Sequence, residues 1–101
     1  MPRFQKKPVV IEAFQVTRGR RADNSEWPNW LHEAWHRGPG EVNALWASMY
    51  PKSDGTDTLV IGTPEGSLSV SWDDWIIKGV QGELYPCKPD IFSATYKPAD
   101  G

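Results

Sequence analysis

Hydrophobic and polar positions along this chain change period several times, and each change marks an element. Across Pro8 to Thr17, Val10, Ala13, Phe14 and Val16 alternate imperfectly among β-branched neighbours, which predicts a first strand. Arg18 to Asn24 is charged, contains Gly19 and reads as a loop. Trp27, Trp30, Leu31, Ala34 and Trp35 then recur at helical spacing on one face. Asn24 or Ser25 can cap that helix, Glu26 suits its positive end, Pro28 belongs in its first turn, and Gly38-Pro39-Gly40 ends it.

From Glu41 to Tyr50 the apolar positions Val42, Ala44, Leu45, Trp46, Met49 and Tyr50 fit strand and helix equally, and a strand is the favoured choice. Pro51 to Asp57 is a cluster of turn formers. Two hairpins follow. Thr58 to Thr63 turns at Pro64-Glu65-Gly66 into Ser67 to Trp72, and Asp74 to Lys78 turns at Gly79-Val80-Gln81-Gly82 into Glu83 to Tyr85. Strict alternation in Ser67-Leu-Ser-Val-Ser-Trp72 sets Leu68, Val70 and Trp72 on a buried side and the serines on a wet one. Lys88-Pro-Asp-Ile-Phe92 reads as a Pro-started helical turn, with Ser93 to Lys97 an edge strand closed by Pro98, and Ile91, Phe92 and Tyr96 capping the core. The expected fold is α+β: one domain over 1–101, an antiparallel sheet of about five strands including the two hairpins, and one amphipathic helix packed on it.

Length and composition narrow the possibilities. A chain of 101 residues has room for one modest core and none for a separate cofactor domain. With 39% hydrophobic and 24% charged residues the composition is that of a folded globular protein. No stretch approaches the ~20 apolar residues of a membrane span, and the N-terminus lacks a signal-peptide apolar region, so the cytosol and no membrane partner are expected. Cys87 is the sole cysteine, which excludes an internal disulfide. A net charge of -2 argues against generic nucleic-acid binding, although Arg18, Arg20 and Arg21, with Lys6 and Lys7, form a local basic run.

The segments Lys6-Lys-Pro-Val-Val-Ile-Glu-Ala-Phe14 and Trp75-Ile-Ile-Lys-Gly-Val-Gln-Gly-Glu-Leu-Tyr-Pro-Cys-Lys-Pro-Asp-Ile-Phe-Ser-Ala-Thr-Tyr96 resemble a family of small proteins encoded by phages and prophages, of the PGDYG type. The resemblance spans about a third of the chain, at its two ends. Where the relatives carry Pro-Gly-Asp-Tyr or Pro-Gly-Asp-Trp, this chain has Trp72-Asp73-Asp74-Trp75 and lacks the Pro and Gly of a tight turn. The resemblance implies a phage or prophage source and the cytoplasm of a bacterial host. It implies no reaction.

Chemistry-bearing patterns are few. His32-Glu-Ala-Trp-His36 matches H-E-x-x-H on a helix, a spacing that sets two imidazoles one turn apart for zinc while the Glu33 carboxylate activates water. The third ligand would have to be a carboxylate such as Glu12 or Asp57, and His32, Glu33, His36 and Arg37 equally make an ordinary solvated helix face. Cys87, at the entrance to a helical turn beside Lys88, is a candidate nucleophile that lacks a general base on its own element, and a buried, inert thiol is the expectation. Asp73 and Asp74, with Asp54, Asp57 and Glu65, sit in turns, where Asp caps local backbone. No phosphate-binding glycine motif is present.

The six tryptophans serve a small core and also mark interfaces, and at least one is expected to be partly exposed. The leading expectation is a non-enzymatic binding protein without cofactor or metal, acting on a host or phage protein or on a small ligand. Its candidate contact residues are Arg18, Trp46, Trp72, Trp75 and Lys78. A minimal hydrolase built on His32, Glu33 and His36 or on Cys87 is one alternative. A self-associating assembly protein working through exposed strand edges is the other.

Overall fold

The structure, a computed structural model, describes residues 10–48 and 59–97. Among the described residues, six short strands, β1 (Glu12–Gln15), β2 (Leu45–Ala47), β3 (Leu59–Thr63), β4 (Gly66–Val70), β5 (Trp75–Lys78) and β6 (Leu84–Cys87), are joined by three short helices, α1 (Arg18–Ala22), α2 (Asn29–Trp35) and α3 (Pro89–Thr95). The class is α+β, but the strands form two antiparallel sheets of three, ordered β1-β5-β6 and β2-β3-β4, in place of one sheet of about five. Both expected hairpins form, and β5 pairs back to β1 instead of continuing from β4.

The sheets face each other across one core. Phe14, Ile76 and Leu84 from the first meet Leu45, Leu59, Ile61 and Val70 from the second, and Trp27, Leu31 and Ala34 close the end, with Trp30, Trp35 and Trp72 packed against them. Of the helical face read from the periodicity, Leu31 and Ala34 are buried on α2 and Trp30 and Trp35 half-buried, whereas Trp27 is buried from extended backbone ahead of the helix. Asn43 ties the sheets together: its side-chain oxygen accepts from the Leu84 backbone N–H at 3.1 Å. Its φ of 66° is one that Asn tolerates better than most residues. Gly62 is required beside it, because a Cβ there would lie 2.0 Å from the Glu41 carbonyl oxygen.

Several elements differ from expectation for identifiable reasons. The supposed loop 18–24 is helical: the Thr17 hydroxyl caps Arg20 N–H at 3.2 Å, the Trp27 indole donates to Arg20 O at 2.7 Å, and Asp23 then caps a separate 3-10 turn at Asn24–Glu26. Pro28 stands at the cap of α2 and not in its first turn. Among the described residues, the first strand is confined to Glu12–Gln15. Of the ambiguous run 41–50, Leu45–Ala47 is strand, and residues 49 and 50 lie outside the described residues, as does the turn cluster at 51–57.

The expected edge strand Ser93 to Lys97 does not exist. Pro89 at the first turn and Asp90 beside it extend the helical turn into α3, placing Phe92 and Tyr96 one turn apart with ring centroids 5.1 Å from each other. Ile91 points away from the core and is 56% exposed. Leu68 shares a face with Val70 as the alternation requires, yet it is 42% exposed while Val70 is fully buried.

The turn at residues 71–74 forms without Pro or Gly. Asp74 N–H donates to Ser71 O at 3.2 Å, and Asp73, the third residue of that turn, takes φ 70°. A positive φ at that position alone is the type II pattern, in which Gly is favoured and Asp or Asn is the usual substitute. Two bonds to β1's exit hold it: Asp73 N–H to Val16 O at 2.7 Å and Val16 N–H to Asp74 O at 2.8 Å.

Candidate binding surface

Helix α1 concentrates the basic run on one short element. Arg18 lies over the Trp72 ring at 5.4 Å, Arg20 over Phe14 at 5.0 Å and Arg21 over Trp35 at 5.4 Å. Each guanidinium faces a different aromatic, a contact that contributes about 0.5–1 kcal/mol at exposed sites. Arg20 is also engaged structurally, donating to Gln15 O at 3.1 Å and pairing with Glu26 at 3.8 Å. Among the described residues Arg18 and Arg21 form no ion pair. Each of the two charges is held in place by an aromatic ring.

Beside them opens a cleft of about 290 Å³ lined by Arg21, Asp23, Asn24, Trp27 and Trp35. Trp27 and Trp35 meet edge to face, with centroids 5.6 Å apart at 79°. Trp27 is buried and its N–H is spent on Arg20, whereas Trp35 is half-buried. Neither Trp35 nor Arg21 was among the sequence candidates. The signal was present in the helical spacing of Trp35 and the arginine run, but linking them required α1 to be a helix.

The five sequence candidates do not form one site. Arg18 and Trp72 pair as described. Trp75 stacks flat on Phe92 of α3, centroids 4.0 Å and planes 5° apart, on the far face of its sheet. Trp46 lies over Gly62 on the outward face of the second sheet. Lys78 pairs with Glu12 at 3.5 Å and lines a different cleft, about 260 Å³, with Trp30, Glu33, Arg37 and Asn43. Trp27 is buried and the other five tryptophans are half-buried, as large rings on so small a core must be.

The two sets of hydrolase candidates lie on different elements, the histidines and Glu33 at α2 and Cys87 on β6. His32 lies on α2 against the Trp27 ring at 5.7 Å, and His36 is already past the last helical residue, as its C-cap. Of the proposed third ligands, Glu12 pairs with Lys78 and Asp57 lies outside the described residues. Among the described residues no three His, Cys, Asp or Glu side chains gather as a metal-holding group. Cys87 is half-buried and not fully buried. Burial pushes its thiol pKa up, and the nearby Asp74 and Asp90 carboxylates push it further. A nucleophile needs the opposite shift.

Asp73 and Asp74 diverge in use. Asp73 is exposed in the turn, while Asp74 is 2% exposed, accepts from Ser71 N–H at 2.8 Å and pairs with Lys88 at 3.0 Å. Lys88 also donates to the Ser71 hydroxyl at 3.3 Å, so this buried carboxylate fastens the turn to the start of α3. The acidic residues of this turn serve structure, as turn chemistry predicts. Asp54 and Asp57 lie outside the described residues. Among the described residues no helix is long and apolar enough to cross a membrane. Compared with known protein families, curated proteins and solved structures, the chain has no match.

Proposed function

We propose that this chain is a small non-enzymatic binding protein whose contact surface is α1, with its arginines seated on aromatic rings and the cleft beside Arg21 and Trp35. The resemblance at the two ends of the chain supports a phage or prophage source and action in the bacterial cytoplasm, on a host or phage protein or on a small ligand. The observation that carries the reading is the pair Arg18 and Arg21, each over a half-buried tryptophan and without an ion pair among the described residues. A guanidinium fixed in this way gives up little side-chain entropy when it meets a carboxylate, and a flat ring beside it supplies apolar area, so an anionic group on a partner fits the surface.

The test is an NMR titration with hexaglutamate, following the indole N–H signals of Trp35 and Trp72. Both signals are expected to move with the peptide, and to stay in place in an Arg18→Gln/Arg21→Gln variant. Shifts that persist without the two arginines, or no shift in the parent, would sink the assignment of this surface.

A further inference from the structure

Strand edges are where a small sheet protein meets other chains, and natural edges are usually blunted by charge, Pro or a bulge. Strand β1 carries Glu12 at its edge, β6 contains Pro86, and β2 is only three residues long. β4, Gly66-Ser-Leu-Ser-Val70, is a five-residue edge with none of these devices, and its first four residues are exposed.

Hydrogen-bond parity shows which groups of β4 face outward. Gly62 donates to Ala44 O at 3.0 Å and accepts from Asn43 N–H at 2.8 Å, so its backbone is committed to the β2 side. Ile61 and Thr63 therefore bond β4, through their partners Leu68 and Gly66. Ser67 and Ser69 are left with backbone N–H and C=O aimed away from β3, and among the described residues nothing pairs with them.

We propose that this edge is a self-association site, where a second copy of the chain adds its own β4 antiparallel about a two-fold axis through Leu68. The strand is self-complementary in that register. Ser67 of one copy faces Ser69 of the other on both sides of the axis, completing two hydrogen-bonded pairs, while the exposed Leu68 side chains meet at the centre. Beyond the next pair, Gly66 opposite Val70, Glu65 of one copy comes opposite Ser71 of the other, whose hydroxyl accepts from the Lys88 ammonium already paired with Asp74, so no like charges meet at the joint. A neutral strand that is self-complementary about Leu68, with no like charges at its ends, suits a second copy of itself. The contact is small, so the association is weak and reversible.

Sedimentation of the full chain between about 10 μM and about 1 mM, the range in which so small a contact associates, tests the proposal. A monomer–dimer equilibrium is expected. Ser67→Lys/Ser69→Lys places lysines face to face and should weaken the dimer roughly tenfold, whereas Ser67→Lys/Ser69→Glu places Lys opposite Glu and should hold or strengthen it. Both side chains lie on the exposed outward face with Trp46 and Val60, so both variants are expected to melt like the parent. Hydrogen exchange of the parent needs no variant: the Ser67 and Ser69 amides should gain protection as concentration rises. A monomer throughout the range, a dimer indifferent to the charge pattern, or a dimer whose Ser67 and Ser69 amides stay unprotected would each overturn the proposal.

Discussion

The two sheets have the same strand number and the same antiparallel pairing, yet they hold their surroundings differently. In the first sheet both faces of β5 are covered: Ile76 is fully buried in the central core, and Ile77, on the opposite face, is 1% exposed, alongside Trp75 and its stacked partner Phe92. In the second sheet only one face is dry. Ile61 and Val70 are fully buried, while Ser67 and Ser69 on the other face stay in water. The difference follows from the strands themselves. Trp75-Ile-Ile-Lys78 offers an apolar run with no wet side, and Gly66-Ser-Leu-Ser-Val70 offers one that alternates. A strand with two apolar faces needs a second cover, and Phe92 of α3 supplies the part of it over Trp75. A one-faced strand at an edge leaves its rim available for other chains.

The largest effect should come from removing that cover. A chain ending at Cys87 loses the Phe92 ring from Trp75 and the Lys88 partner of the buried Asp74 carboxylate. Leaving a buried charge without its partner costs about 3–5 kcal/mol, reduced here because the Lys88 side chain is 56% exposed. The lost ring contact adds to it. Against a total of about 5–15 kcal/mol for a domain, this chain should lose cooperative melting by circular dichroism. Cooperative melting near the parent temperature would show that α3 is an appendage and that the first sheet needs no second layer.

A matched pair of truncations sharpens the contrast between sheets. Ile77→Ala should cost about 2–5 kcal/mol, as for other fully buried aliphatic residues. Leu68→Ala, on a side chain that is 42% exposed, should cost well under that, about 1 kcal/mol or less. Denaturant midpoints of the two variants decide the matter, and equal losses would mean that Leu68 is covered in solution.

The smallest effect lies at high pH. Burial pushes the Tyr85 pKa up to about 12, helped by its hydrogen bond to the Tyr96 side chain. The folded state thus keeps a proton that the unfolded chain releases near pH 10, so stability is full below pH 10 and falls as pH rises towards 12. Thermal melts across that window should decline less in Tyr85→Phe than in the parent. Leu68→Ala, in the other sheet, should leave the slope unchanged.

Much of this was legible in the chain. The helical spacing of Trp30, Leu31, Ala34 and Trp35, the hairpin turns at Pro64-Glu65 and Gly79 to Gly82, and the alternation of β4 are local patterns, and local patterns survive folding. The helix at α1 was less visible, because Arg18-Gly-Arg-Arg-Ala22 has no apolar face. It is held by the Thr17 cap and by Trp27 reaching back to Arg20 O. The continuation of α3 past Phe92 was hidden for a similar reason: β-branched Thr95 and aromatic Tyr96 favour a strand, and the packing of Phe92 and Tyr96 overrides that preference.

By itself the sequence determined the class, both hairpins, the buried stripe of α2 and the one-sided alternation of β4, since each depends on residues close together in the chain. Tertiary structure alone decided that β5 returns to β1, that the strands split into two sheets, that Arg18 and Arg21 find Trp72 and Trp35, and that Asp74 is buried beside Lys88. Those partners lie 14 to 66 residues apart. No periodicity within a strand or helix encodes such a meeting, which depends on how whole elements exclude water from a shared core.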